Sequence, residues 1–290
     1  MSNPLVTSAL PIPTDSASRA NACLDADIWF CGDTHGKFAH LRRAVESHCP
    51  RAVIFLGDVQ PTRPIEQELD WLLRRTEVWF VHGNHDTDSE EGFDRLQGSV
   101  LSDRNLHGRV VDVAGVRMAG LGGIFRGQVW MPPQPARYDS PDDFCRHCGS
   151  GNLWRGGLPL RHRSTIFQDE WLRLAEQTAD VLVTHEAHDA HPYGFASITE
   201  LAQFMGVKRS FHGHQHDSLD YSSAFERLGF RAYGVGLRGI CDLNGRVVVV
   251  GEHDAERGAV YRHFEFRPGP VHAESKAINV RAAFKGHKAS

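Results

Sequence analysis

Three apolar runs, at residues 27–31, 52–56 and 78–81, each stop at a glycine followed by metal-ligand chemistry: Gly32-Asp33-Thr34-His35, Gly57-Asp58 and Gly83-Asn84-His85-Asp86. Between them, residues 38–48 carry Leu41, Ala44 and Val45 at helical spacing. Residues 65–75 place Ile65, Leu69, Leu72 and Leu73 on one helical face, with Pro64 at the first turn. Apolar strands alternating with amphipathic helices specify an α/β arrangement in which a sheet is covered on its faces. Two later segments repeat the theme: residues 181–184 end at His185, and Phe211 leads into Gly213-His214-Gln215-His216. Every polar cluster sits just past the carboxyl end of a strand, the edge at which open α/β sheets take their ligands.

The remainder of the chain is organised around that core. Residues 1–25, rich in Ser, Pro, Ala and Thr, read as a flexible leader, and residues 271–290 as a polar tail. We expect one domain over 26–270. Within it, residues 109–113 and 116–121 flank Ala114-Gly115 as a hairpin. Residues 124–163, with prolines at 132, 133, 135 and 141 and little periodicity, read as a long insertion over the sheet edge, a candidate lid or specificity element. Residues 166–175 return to a helical pattern, and two further strands are expected at 246–250 and 260–266.

Composition excludes several classes. With 41% hydrophobic and 23% charged residues the chain can bury a core, and a net charge of −4 offers no basic field for nucleic acid. No segment reads as a secretory signal or a membrane span, which points to a cytoplasmic protein with reduced thiols. Cys145-x-x-Cys148, with His147 between, lacks the second CxxC of a zinc site and reads as structural thiols.

Carboxylate oxygens mixed with imidazole nitrogens suit Mn, Fe, Zn, Co or Ni better than the all-oxygen shells of Mg or Ca. Asp58 is the single ligand of its segment, so a bridging position uses it best. Gly57 and Gly83 allow the close approach of backbone to a metal site.

Taken in order, GDTHG, GD, GNHD, a strand ending VTH, and GHQH resemble the calcineurin-like metallophosphoesterase family over residues 27–240. The resemblance implies a four-layer α/β/β/α sandwich with a dinuclear site at one sheet edge. It implies that Asp33, His35, Asp58 and His216 bind one divalent ion, manganese first among the candidates. Asp58, Asn84, His185 and His214 would bind a second, with Asp58 bridging. His85 would be the general acid and Asp86 its orienting partner. The implied reaction is hydrolysis of a phosphomonoester or small phosphodiester, a small-molecule substrate, by a metal-bridging hydroxide.

The alternatives on the same residues are a nuclease or cyclic-nucleotide phosphodiesterase, against which the acidic charge argues, and a non-catalytic metal-binding scaffold, against which the complete ligand set argues. The protein Ser/Thr phosphatase and dinucleoside tetraphosphatase branch follows its second aspartate with an Arg-Gly pair. Here Gly57-Asp58 continues Val-Gln-Pro-Thr-Arg-Pro, so the chain departs from that branch, although Arg63 is near. His188 and His191 read as a solvated loop, and His82 and His212 as residues behind the ligands. Arg126, Arg155, Arg161 and Arg163 read as ordinary surface arginines, and Trp130 and Trp154 as packing within the insertion.

Overall fold

The computed structural model describes residues 27–261, with side chains to residue 257; the expected leader and tail lie outside the described residues. Two five-stranded mixed sheets form the centre. In the first, β1 (Ile28–Cys31), β2 (Ala52–Leu56) and β3 (Glu77–Val81) run parallel. They are extended by two antiparallel strands, β9 (Ile240–Asp242) and β10 (Val247–Val249), in the order β10-β9-β1-β2-β3. In the second, β4 (Arg109–Val113) pairs antiparallel with β5 (Val116–Leu121). Strands β6 (Val181–Thr184), β7 (Arg209–His212) and β8 (Arg231–Gly234) then continue in parallel.

The period-two alternation of β-strands explains the layering. Ile28 and Phe30 of β1 join Ile54, Leu56, Val181, Val183 and Phe211 in a core between the sheets. The rings of Phe30 and Phe211 stack across it at 3.7 Å. Trp29 and Cys31 face the other way, onto Leu41, Val45, Leu69 and Leu72 of the helices covering the first sheet. On the outer face of the second sheet, Ala119, Leu121 and Leu182 meet Trp171, Leu174, Ile198 and Leu201. Three apolar layers therefore separate four layers of structure, helix, sheet, sheet and helix, as the sequence led us to expect.

The expected helix at 38–48 is Ala39–Ser47. That at 65–75 is broken at Leu69 (φ −110°) into Ile65–Glu68 and Asp70–Leu73, which lets Ile65, Leu69 and Leu72 all be buried. The hairpin forms with Ala114 and Gly115 both at positive φ, the backbone a two-residue turn between twisted strands requires. One strand expectation fails. Val260 and Tyr261 end a helix, Asp254–Tyr261, that opens on Asp254 and Glu256, acidic residues suited to a helix start; residues 262–266 lie outside the described residues.

The insertion is also more ordered than its composition suggests. It contains a helix, Pro141–His147, whose start is fixed by Ser140 Oγ accepting the Asp143 N–H at 3.1 Å. Phe125, Val129, Trp130 and Phe144 are buried in the outer core. It is a packed part of the fold rather than a loose lid.

Candidate metal centre

The site lies where the carboxyl ends of β1, β2, β3, β6 and β7 meet. The turn after each strand is sharp. Four of the seven expected ligands, His35, Asp58, His214 and His216, have φ between 44° and 67°, a left-handed backbone that non-glycine residues adopt at a cost of order 1–3 kcal/mol each. The neighbouring glycines are required by space. A Cβ on Gly57 would stand 2.2 Å from His185 Nδ1, and one on Gly83 2.1 Å from Asp58 Oδ1.

The ligands divide into two groups. Among the described residues, Asp58, His185 and His214 form the one set of three acidic, thiol or imidazole groups whose ligand atoms all lie within 4.8 Å of one another. Asn84 Oδ1 adds a further oxygen 3.2 Å from His185 Nε2. On the other side, His35 Nε2 and His216 Nε2 face each other at 3.2 Å, and His216 Nε2 is 3.7 Å from Asp33 Oδ2. The sequence left open whether His214 and His216 share a face. The positive φ at both turns the segment so that the His214 ring lies tilted beside His185 while His216 meets His35.

Hydrogen bonds on the far ring atoms set which nitrogens face the site. His185 Nδ1 donates to the Leu56 carbonyl at 2.8 Å, so Nε2 is left pointing at Asn84 Oδ1 and, at 3.5 Å, Asp58 Oδ2. His35 Nδ1 is 2.6 Å from Gln60 Oε1, which likewise aims its Nε2 inward. Three acceptor atoms thus converge at Asp58, Asn84 and His185, and only a proton or a cation can reconcile them. Asp33 Oδ1 is buried with no hydrogen-bond partner, a further acceptor awaiting positive charge.

The electrostatics say the same. Burial works against charge on His185, yet Asp58 and then Asp33 raise its pKa to about 10. The protein therefore favours a positive charge between these carboxylates. Burial raises Asp33 to about 7 against the pull of His185, whereas the Asp58 carboxyl, although also buried, is held well below its usual range by His185 and the His85 N–H. His214 is lowered to about 3 and His216 to about 4, in each case chiefly by burial, so both are neutral imidazoles ready to ligate. The donor set fits a divalent metal.

The acid side of the site corrects one expectation. Asp86 does not touch the His85 ring: its buried carboxylate accepts the Gly83 and Gln60 N–H groups, each at 2.8 Å, and pins the ligand loops together. The carboxylate against His85 is that of Asp88, 2.6 Å from Nδ1. Burial opposes charge on the His85 ring, but Asp88 and Asp58 outweigh it and raise the His85 pKa. Asp88, three residues on in the same turn, went unassigned in the sequence, as did Gln60 behind His35.

Other expectations also change. His188 and His191 are buried rather than solvated, packed with His212 and Tyr221 behind the second sheet's loops. His82 and His212 are buried behind their glycines as expected. Arg63 stands 3.6 Å from Glu68, exposed. Arg155 pairs with Asp94 and Glu90, and Arg163 lies over the Trp154 and Phe93 rings. Arg126 and Arg161, expected as ordinary surface arginines, line a cavity of about 600 Å³ with Asn84, Thr87 and Asp88.

A two-sheet fold with this ligand-bearing edge is that of a metal-dependent phosphoesterase, and the family comparison agrees. The family model described as calcineurin-like phosphoesterase matches residues 26–218, and the chain belongs to that family, whose members are metal-dependent hydrolases. An uncharacterized protein of Haemophilus influenzae is 43% identical over 230 residues, spanning 79% of this chain and all of its own length. Among solved structures, the protein TT1561 of Thermus thermophilus aligns at 13% identity with a TM-score of 0.45, covering 76% of this chain and 96% of its own. Among the described residues no helix is long and apolar enough to cross a membrane.

Proposed function

We propose that this protein is a dinuclear phosphoesterase that hydrolyses a phosphomonoester or small phosphodiester. The observation that carries the reading is the convergence of Asp58 Oδ2, His185 Nε2 and Asn84 Oδ1 in a buried site where the other His185 nitrogen is already committed to Leu56. In this reading Asp33, His35, Asp58 and His216 would hold one ion, and Asp58, Asn84, His185 and His214 the other, Asp58 serving both sets. Manganese suits the mixed oxygen and nitrogen set. Divalent ions in such a pair bring the pKa of bound water toward neutrality and offset phosphoryl charge.

The chain's own groups supply the rest. Gln60 and the Leu56 carbonyl fix the ring orientations of His35 and His185. Asp86 holds the β2 and β3 loops at a constant separation through Gly83 and Gln60. His85, half-exposed and tethered by Asp88, presents Nε2 to the leaving oxygen and gives it a proton. The raised pKa keeps that proton available near neutral pH. The five cysteines of the described residues are all free, which supports a reducing, cytoplasmic setting, and the domain is read as residues 26–270.

The test is turnover by manganese-loaded protein. Hydrolysis of p-nitrophenyl phosphate or bis(p-nitrophenyl) phosphate, with two ions per chain by elemental analysis, is the expected result, and the ratio of the two rates separates monoesterase from diesterase. Two bound ions with no turnover of either ester would leave a metal-binding scaffold instead.

A further inference from the structure

Four arginines of the insertion region were equivalent in the sequence, and the structure separates them. Arg155 has its carboxylates and Arg163 its rings. Arg126 and Arg161 have no carboxylate within ion-pair distance among the described residues, yet both line one cavity and the charge of Arg161 acts on Arg126. Asp88, on the wall of the same cavity, and Glu186 and Asp58 raise the Arg126 pKa without forming an ion pair with it, so both guanidiniums stay open to an anion. The Arg126 guanidinium donates to Ser164 O at 2.9 Å and to Ser164 Oγ at 3.3 Å, while its buried Nε has no partner. Burial and then the nearby Arg161 charge lower its pKa to about 10, a repulsion that an anion between them would relieve.

The position of this pair is fixed relative to the metal ligands. Ser164 Oγ, which accepts from Arg126, is 2.7 Å from Thr87 Oγ1, in the single turn His85–Thr87 that follows Asn84. The turn Leu160–Ser164 carries Arg161 itself. Residues 124 and 165 bridge as parallel backbone, joining the two ends of the insertion. The cavity wall also includes Asn84, an expected ligand, and Asp88, the carboxylate behind His85. It therefore joins the expected metal site to two guanidiniums. At about 600 Å³ it is large enough for a sugar or a nucleoside.

We propose that this cavity is the leaving-group subsite and that Arg126 and Arg161 hold a second phosphate there. The substrate class is then a phosphate ester whose leaving group carries a further phosphate. The guanidinium fork matches phosphate oxygens in a way a lysine ammonium does not. A neutral leaving group would leave the part-buried Arg126 guanidinium without an anionic partner, whereas the exposed Arg161 would keep its water. The assignment rests on the phosphoesterase reading of the adjoining site, and it adds the chemistry of what that site receives.

Matched substrate pairs test it. Manganese-loaded protein is assayed on fructose 1,6-bisphosphate against fructose 6-phosphate, and on adenosine 3′,5′-bisphosphate against adenosine 5′-monophosphate. The expected result is a kcat/KM at least about tenfold higher for the bisphosphate of one pair, with that preference falling about tenfold in Arg161→Gln. Arg155→Gln removes the same charge from the same insertion and is expected to retain the preference. No preference in either pair, or a preference that survives Arg161→Gln, overturns the proposal. A second measurement is independent of turnover: inorganic pyrophosphate binding to chelator-stripped protein by calorimetry, expected about tenfold weaker in Arg161→Gln. Absence of turnover on all four esters and on both p-nitrophenyl esters would defeat the phosphoesterase reading. Pyrophosphate binding that is absent, or equal in the variant and the parent, would defeat the subsite.

Discussion

Two groups of histidines stand at the ends of β6 and β7, only residues apart in the chain, and they are arranged in opposite ways. His185 and His214 turn ring nitrogens toward Asp58 and toward each other. His188, His191 and His212, all buried, give their Nδ1 atoms ordinary backbone partners, while His188 Nε2 has none. His188 Nδ1 accepts the Ala190 N–H at 3.2 Å and His191 Nδ1 the Tyr193 N–H at 3.0 Å. His212 Nδ1 donates to Gly213 O while its Nε2 accepts from the Tyr221 hydroxyl at 3.0 Å. The charges follow. Burial lowers His188 far below its ordinary pKa and His212 to about 4, whereas Asp58 overcomes burial and raises His185 to about 10. Histidine count does not make a metal centre. What makes one is a set of acceptors that only a proton or a cation can join.

The comparison breaks most sharply at Asp58. Asp58→Ala removes the oxygen facing His185 Nε2 and the acceptor of the His85 N–H at 2.8 Å. On the proposed dinuclear reading it is expected to lower metal content from two ions to fewer than one per chain and activity by at least about 10³-fold, more than any other single ligand change. Elemental analysis after gel filtration, with initial rates, checks it; two ions retained would refute the shared position of Asp58.

His85→Asn comes next in size. Metal content should stay at the parent value while kcat falls by about 10²–10⁴-fold, the range for loss of a general acid. Asp88→Asn is the milder version. Asp88 raises the His85 pKa, and an acid works only while protonated, so activity falls as pH rises through that pKa. Without the Asp88 charge the descending alkaline limb should begin at lower pH. A profile of kcat against pH that stays in place after Asp88→Asn would show that His85 is not the group that limits the alkaline side.

These differences were legible to different depths in the sequence. The ligand ladder could be read because its segments follow apolar runs, through a glycine in all but that of His185, and a strand end is the one place where such a run can stop at a sheet edge. The partners behind the ligands could not. Gln60 reaches His35 because its own backbone is left-handed, and Asp88 reaches His85 because the turn His85–Thr87 brings residue i+3 back over the ring. Neither geometry has a residue period. Strands β8 and β9, at four and three residues, are too short to show one. The helix Pro141–His147 did carry a signal: Ser140, then proline at the first position, then two aspartates. The burial of His188 and His191 comes from Tyr221, His212 and Phe230, residues 20 or more positions away, so a polar-looking loop gave no warning.

The smallest expected effect belongs to the second histidine group and reports on its neutrality. His212→Phe removes the acceptor of the Tyr221 hydroxyl and the donor to Gly213 O, and should cost about 1–3 kcal/mol of stability at pH 7 with metal content unchanged. The pH dependence distinguishes a neutral His212 from a charged one. Its pKa is 6.5 in the unfolded chain and about 4 when folded, so between those values the unfolded state binds the extra proton and the parent loses stability as pH falls. The variant lacks that loss, which amounts to about 3 kcal/mol at most. The gap in Tm between parent and variant should therefore narrow from pH 7 toward pH 4. Taking the difference isolates His212 from Asp33, Asp86 and Glu186, whose carboxyls burial raises to about 7 and whose contributions run in the opposite direction. A gap that stays constant across that window would mean that His212 is protonated in the folded protein. The two histidine groups would then differ in their partners but not in their charge.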